Sequence, residues 1–347
     1  MPVDRGDRPL VSVIMAVRNE GGRHVKAIES VLDQDYLPER VEVIVVVGAS
    51  SDDTLHLTQE LAEEHSRIRV IQNPDGSTPV SLNLGVRAAH GQIIGRVDGH
   101  AWIARDFLSR SVEAIERTGA DGVGGIAEHL GHGPVGEAIA LAMTSPYGAG
   151  NSQFRVGGTQ EGPADTVVFG MYRATTLARV GPFDETLLRN QDDEMNHRIR
   201  LAGGQLLFAP SIRSSYVVRS RLRDLWRQYH DYGVFRVHTL AKHRRPGALR
   251  QLAPPVLLVV LGAGAVVGVW TGRPVGRAGV ALYLAGLLAG GAVTATRAGR
   301  IGLAPLISAA LGTMHIGYGV GFWREVVRRL GRVLFTLDRR GPENQSG

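Results

Sequence analysis

The chain has 347 residues, of which 44% are hydrophobic and 21% charged, with 45 glycines and 16 prolines. Those values exclude a disordered chain and, because glycine follows no triplet period, a collagen; the length suits two structural units. Cysteine is absent, which removes disulfide frameworks, thiolate zinc sites, iron–sulfur clusters and a cysteine nucleophile together, so any metal must sit on oxygen and nitrogen. The net charge of +6 is unevenly placed: from Arg244 onward there are 13 Lys and Arg against 3 Asp and Glu, while the preceding part carries 26 against 30.

No charged leader followed by an apolar run and a small-residue cleavage site opens the sequence, so the front part is expected to stay in the cytoplasm. Residues 9 to 215 read as alternating strands and helices. Val11 to Val17 and Val41 to Val47 are β-branched runs, each followed by polar turn residues and then by helical apolar spacing at Val25 to Leu32 and Thr54 to His65. Two further strands are expected at Ile68 to Ile71 and Gln92 to Val97. This order predicts an α/β domain with a mostly parallel sheet, helices on both faces, and ligands at the C-terminal ends of the strands. Those ends carry Arg18, Asn19 and Glu20; Ser50, Ser51 and Asp52; Asn73; and Asp98, Gly99 and His100.

Asp98-Gly99-His100 follows the apolar strand, so a carboxylate and an imidazole leave the sheet edge together. Such a pair suits a hard divalent cation shared with a diphosphate, and imidazole shifts the preference toward manganese. As a solvated turn it would need no function. Further on, Asn190-Gln-Asp-Asp-Glu194 begins a helix. Acids there are favoured by the helix dipole alone, but a carboxylate near an acceptor hydroxyl is also what a general base requires.

Leu222 to Leu240 interleaves Trp226, Tyr229, Tyr232 and Phe235 with arginines. Beside apolar spans this reads as an interfacial helix rather than a nucleic-acid surface. Pro254 to Trp270, Val275 to Thr296 and Ile301 to Phe322 each approach the roughly 20 residues that cross a bilayer. Three crossings from a cytoplasmic domain would put Arg324, Arg328, Arg329, Arg332, Arg339 and Arg340 outside, against the preference of basic segments for the cytoplasm. Two full crossings and a cytoplasmic C-terminus are therefore expected, with residues 301 to 322, which include Pro305 and His315, re-entrant or interfacial.

Together, Val11-Ser-Val-Ile-Met-Ala-Val-Arg-Asn-Glu20, Ser50-Ser-Asp-Asp-Thr54, Asn83-Leu-Gly85, Arg96-Val-Asp-Gly-His100, Gly181-Pro-Phe-Asp-Glu185 and Gln191-Asp-Asp-Glu194 resemble, in order and spacing, the family 2 glycosyltransferases. The resemblance spans residues 9 to 240 and is greatest to the membrane-bound bacterial exopolysaccharide enzymes of the succinoglycan type. It implies the GT-A nucleotide-sugar fold. It also implies that Ala16, Arg18, Glu20, Asp52 and Asp98 bind the nucleotide sugar, that Asp98 and His100 hold Mn or Mg, that Asp192 is the catalytic base, and that Glu194 is a second acid on the acceptor side.

The implied reaction is inverting transfer of one sugar, with a UDP-sugar as the expected donor, a lipid-linked or glycan acceptor, membrane lipids as surroundings and no nucleic acid. Val47-Gly48-Ala49 stands where many relatives carry an acid toward the nucleobase, Ala16 replaces a common proline, and Leu225-Trp-Arg-Gln-Tyr229 does not match the signature of processive synthases. The expected organisation is a catalytic domain over 1–215, an interfacial helix and linker over 216–250, two or three transmembrane helices over 251–323, and a basic amphipathic tail over 324–347. The expected location is the inner (cytoplasmic) membrane, multi-pass, with the catalytic domain in the cytoplasm. The competing expectation is a catalytically weakened nucleotide-binding scaffold subunit of a polysaccharide assembly complex.

Overall fold

The computed structural model describes residues 8–338, and side chains as far as Arg332; the end of the expected basic tail, with Arg339 and Arg340, lies outside the described residues. The chain divides into two compact units, one of residues 1–132 and 143–218, the other of residues 133–142 and 219–347.

The first unit runs β1 (Val11–Val17), α1 (Arg23–Leu32), β2 (Val41–Gly48), α2 (Thr54–Glu64), β3 (Ile68–Asn73), α3 (Thr78–Ala88), β4 (Ile93–Arg96), β5 (Ala101–Ile103), α4 (Phe107–Thr118) and β6 (Gly122–Leu130). After α5 (Gly133–Thr144) come α6 (Pro146–Ala149), α7 (Gln153–Val156), β7 (Gly162–Pro163), β8 (Met171–Arg173), α8 (Ala174–Val180), α9 (Gln191–Leu201) and β9 (Leu206–Val217). The sheet order is β3-β2-β1-β4-β8-β6-β9-β5, with β7 on β9.

β1 shows why helices cover both faces. Its alternate residues Val11, Val13, Met15 and Val17 pack with Ile28 and Val31 of α1 and Phe107 and Leu108 of α4, while Ile14 and Ala16 face Leu82 of α3 and Met195 and Ile199 of α9. β1 to β4 pair in parallel, as their buried β-branched runs predict. Beyond β4 the sheet is mixed: β8 is antiparallel to both β4 and β6, and β5 and β7 are antiparallel to β9. The expectation of a mostly parallel sheet is corrected here. The strands that break it have only two or three residues, too few for an alternation to show in the sequence.

In the second unit, α10 (Leu222–His243) precedes α11 (Ala253–Thr271), α12 (Val275–Arg297) and α13 (Ala304–Asp338). Three helical stretches, Leu249–Thr271, Val275–Arg297 and Ile301–Arg332, are long and apolar enough to cross a membrane. Residues 304–338 form one uninterrupted helix, so the re-entrant turn expected within 301–322 is not formed. Pro305 falls at the second position of α13, where it costs no hydrogen bond and does not bend the helix.

Candidate active site

The turn after β1 and the turn before α2 are laced together by their own polar side chains. Ser51 N donates to Asn19 Oδ1 at 2.8 Å, Asn19 N to Ser50 Oγ at 3.1 Å, Glu20 N to Thr54 Oγ1 at 3.0 Å and Gly21 N to Asp52 Oδ2 at 2.9 Å. Asn19 adopts φ +51°, a left-handed conformation that Asn tolerates better than most residues. Asp52 spends its other oxygen on Thr54 N and Oγ1, at 3.1 and 2.6 Å. The Thr54 hydroxyl and the neighbouring amides hold this carboxyl below the usual range. Asp52, expected beside the base or ribose, thus has both oxygens committed to the chain.

Arg18 is committed in a similar way. Its Nε donates to the Ala49 carbonyl at 3.1 Å and its Nη1 to the Gly76 carbonyl at 3.3 Å, so it ties together the turns that follow β2 and β3. Ala16 is a half-buried member of β1, in register with Val46.

At the end of β4 the chain delivers Asp98 and His100. Gly99 between them is required by packing: a Cβ there would lie 2.9 Å from Glu20 Cγ and from Val17 Cγ1. His100 Nδ1 lies 3.1 Å from Glu20 Oε1. A carboxylate oxygen accepts, so the imidazole donates through Nδ1, which leaves Nε2 on the far side of the ring. Tyr216 of β9 lies between two imidazoles, its ring centroid 5.3 Å from that of His100 and 5.6 Å from that of His129. Burial, aided by Arg155, pushes His129 down to about 4, so it is neutral at physiological pH.

The connection to α9 runs through Arg96. Its Nε and Nη2 donate to Asp98 Oδ1 at 3.0 and 2.6 Å, and its Nη1 donates to Asp192 Oδ1. One guanidinium therefore brings together two carboxylates 94 positions apart in sequence. Their ionisation differs. Burial works to raise Asp98, but Arg96 and then His100 outweigh it and hold the carboxyl below the ordinary range. For Asp192, burial wins over Arg96, and the neighbouring Asp98 charge adds to it, so its carboxyl is raised. The two share one counter-ion, and Asp192 keeps 32% of its side chain open to solvent. Tyr172 on β8, raised by burial and then by the Asp192 charge, donates to Asn196 Oδ1 at 2.9 Å and closes the inner wall.

Glu194 has a different setting. It is 0% exposed, and Arg198 Nε lies 3.0 Å from each of its oxygens. The same guanidinium donates to the carbonyls of Val180 and Pro182 at 2.7 and 2.8 Å. Asn83 holds the other side of this turn, accepting from Phe183 N at 2.8 Å and donating to the Phe183 carbonyl and Glu185 Oε1, each at 2.9 Å. Where an acceptor-side acid was expected, the structure has a buried clamp that shapes the 181–185 turn, and an acceptor reaching Glu194 would first have to break its pair with Arg198.

The structure brings Glu20 to His100 and, through Arg96, Asp98 to Asp192; Arg18 and Asp52 are exposed and hydrogen-bonded to neighbouring turns, and Glu194 is buried against Arg198. Arg96, which joins the two carboxylates, is the residue of this cluster to which sequence reasoning gave no role. Its signal was present: it is the one charge inside the apolar run Ile93 to Val97, and it stands two residues before Asp98, hence on the same side of an extended chain.

Among the described residues no group of three or more His, Asp or Glu side chains could enclose a metal by itself. Asp98 and His100 nevertheless fit a cation shared with a diphosphate. Asp98 receives hydrogen bonds at Oδ1 only, leaving Oδ2, and Glu20 orients the His100 ring in the way a carboxylate behind a metal-binding imidazole does.

Comparison with known proteins agrees with this geometry. Residues 12–173 match the family described as Glycosyl transferase family 2. The chain is 28% identical over 317 residues to the succinoglycan biosynthesis protein ExoA of Rhizobium meliloti, covering 91% of this chain and 94% of that protein. It is 29% identical over 233 residues to a Methanococcus voltae dolichyl N-acetyl-alpha-D-glucosaminyl phosphate 3-beta-D-2,3-diacetamido-2,3-dideoxy-beta-D-glucuronosyltransferase, covering 65% of this chain and 72% of that one. Among solved structures it is similar to mannosyltransferase PcManGT from Pyrobaculum calidifontis, solved with GDP-Man and Mn2+, with a TM-score of 0.55, 23% identity and coverage of 90% of this chain and 88% of that one. Residues 12–173 thus match glycosyl transferase family 2, and with this strand order the chain has the GT-A fold.

Proposed function

We propose that the protein is a membrane-associated inverting glycosyltransferase that moves one sugar from a nucleoside diphosphate donor, a UDP-sugar in the first instance, to a lipid-linked or glycan acceptor in exopolysaccharide or cell-envelope synthesis. Asp192 accepts the proton of the acceptor hydroxyl as that oxygen attacks the anomeric carbon, the carbon–oxygen bond to the diphosphate breaks, and no covalent enzyme intermediate forms. Asp98, through Oδ2, and His100, through Nε2, are the groups that would hold Mn or Mg. When bound, the cation neutralises charge developing on the leaving diphosphate. Glu20 keeps His100 in its tautomer, and Arg96 keeps Asp192 directed toward the donor-side carboxylate.

The observation that carries this reading is the shared guanidinium, which sets the α9 acid Asp192 beside the strand-end acid Asp98. Relatives whose names place them in succinoglycan synthesis and in glycosylation of a dolichyl-linked sugar support a glycan or lipid-linked acceptor. The apolar helices support a multi-pass protein of the inner membrane with its catalytic domain in the cytoplasm, where nucleotide sugars are made.

The test is a donor panel against membranes containing the intact protein, with nucleoside diphosphate release and sugar transfer as signals, each with and without excess chelator. Acceptor-dependent release from one donor, lost on chelation and restored by Mn or Mg, is expected. Tight nucleotide binding with neither transfer nor donor hydrolysis across the panel would overturn the catalytic reading in favour of a binding subunit, and full activity in chelator would remove the cation.

A further inference from the structure

By length and composition alone α13 is a third crossing, and an odd number of crossings would carry the C-terminus away from the catalytic domain. Two contacts within the second unit argue otherwise. Arg300, just before α13, donates to Glu137 Oε2 at 2.5 Å. Glu137 belongs to residues 133–142, ten residues flanked on both sides by chain of the catalytic unit. Crossing and returning needs about 20 helical residues each way, so Glu137, and with it the start of α13, lies on the catalytic side.

The second contact is with α10, which leaves the catalytic unit after Val218 and carries Arg223, Asp224, Arg227, Asp231, Arg236 and Lys242. Six charges in 22 residues keep a helix out of hydrocarbon. It meets α13 backbone to backbone: a Cβ on Gly233 would lie 2.0 Å from the Tyr318 carbonyl oxygen, and one on Gly321 2.0 Å from that of His230. Arg236 Nε donates to Tyr318 Oη at 3.3 Å, and His238 Nε2 lies 3.0 Å from the buried Glu325. From residue 317 onward α13 is therefore held at the level of a polar helix. Only residues 304–316 are left to cross. Thirteen residues rise about 20 Å, against a hydrocarbon core of about 30 Å.

We propose that α13 does not cross the bilayer, and that its second half forms with α10 a platform on the catalytic side that seats on an anionic leaflet. The exposed side chains fit that occupant. Val320, Trp323, Val327 and Leu330 are exposed and spaced as a single apolar stripe; Arg324 flanks it, as does Arg328, which is paired with Glu325 at 2.6 Å, so apolar area lies beside charge complementary to acidic headgroups. Trp323 Nε1 also donates to the Pro255 carbonyl at 2.9 Å, so the start of α11 sits at the same level. α11 and α12 then leave and return as a pair. The inference rests on the membrane reading and is independent of the chemistry.

Because the chain has no cysteine, single substitutions can be labelled without background. His56→Cys, on the exposed face of α2, marks the catalytic side, and Ser346→Cys marks the C-terminus. With a membrane-impermeant maleimide, both should be refractory in intact cells and both reactive in inverted vesicles. Reaction of Ser346→Cys in intact cells while His56→Cys stays protected would overturn the proposal. A polarity-sensitive fluorophore on Val327→Cys, in protein reconstituted with phosphatidylglycerol, should be quenched by a lipid-borne quencher, and less so after Arg324→Gln. Equal quenching in purely zwitterionic vesicles, with or without Arg324, would overturn the anionic-leaflet part. Loss of donor turnover with the labelling pattern intact would count against the proposed function and leave the topology standing.

Discussion

Arg96 and Asp192 show how one side chain joins two distant parts of the chain into a site. Asp192 and Asp193 are adjacent and chemically alike, but only Asp192 accepts from Arg96, and only it is brought beside Asp98. Asp192→Asn should therefore leave nucleotide binding and thermal stability near the parent values and lower turnover by about two orders of magnitude or more, as loss of a general base does. Asp193→Asn should retain most of the activity. Single-turnover kinetics with calorimetric nucleotide titration checks both, and an Asp192→Asn enzyme with parental turnover would remove the residue from the chemistry. The proposal that Asp192 is the base was legible in the sequence only through the family motif. Its setting was not, because the distance from Arg96 to Asp192 is a property of the packed sheet and helix.

At the scale of elements, buried polar side chains decide where the turns lie. Arg198 holds α9 to the 181–185 turn through Glu194 and the carbonyls of residues 180 and 182. Arg198→Met takes the guanidinium away from a carboxylate with 0% exposure and should cost roughly 3–5 kcal/mol of stability. The double variant Arg198→Met/Glu194→Leu should recover part of that loss. Equal melting temperatures for parent and Arg198→Met would contradict this account.

His24 of α1 does similar work for the turn after β1. It is fully buried, donates from Nδ1 to the Gly21 carbonyl, and meets the Thr58 hydroxyl at Nε2 across 3.0 Å. Burial lowers its proton affinity and outweighs the opposing pull of Gly21, Glu20 and Asp52. The unfolded chain then binds this proton more readily than the folded one, so the stabilisation is full above the ordinary value of about 6.5 and is lost as pH falls below it. Thermal unfolding from about pH 8 to about pH 5 should show a decline in the parent that flattens in His24→Gln; parallel curves would exclude His24 as its source.

For the whole molecule, the division into a catalytic unit and a helical unit follows the charge asymmetry seen along the chain. The acidic part builds the sheet, and the basic part brackets apolar helices. Length and hydropathy describe each helix alone and find three that could cross. The neighbours of a helix decide its environment, and α13 has a charged neighbour in α10. If, as proposed, α10 and the second half of α13 rest on one leaflet, an acceptor anchored in that leaflet would reach them by diffusion in two dimensions.

The sequence by itself determined the parallel half of the sheet, because buried β-branched runs of six to eight residues leave a pattern that local chemistry can read. It also determined the strand-end acids and the apolar helices, since these depend on neighbours in the chain. The antiparallel strands of two or three residues, the Arg96 bridge, the bonds from Arg18 to the turns after β2 and β3, and the close approach of α10 and α13 at Gly233 and Gly321 were decided only by tertiary structure. The Arg96–Asp192 pair and the Gly233–Tyr318 and Gly321–His230 approaches join groups 85 to 96 residues apart at hydrogen-bond or van der Waals distance, and no local pattern in a sequence encodes that distance.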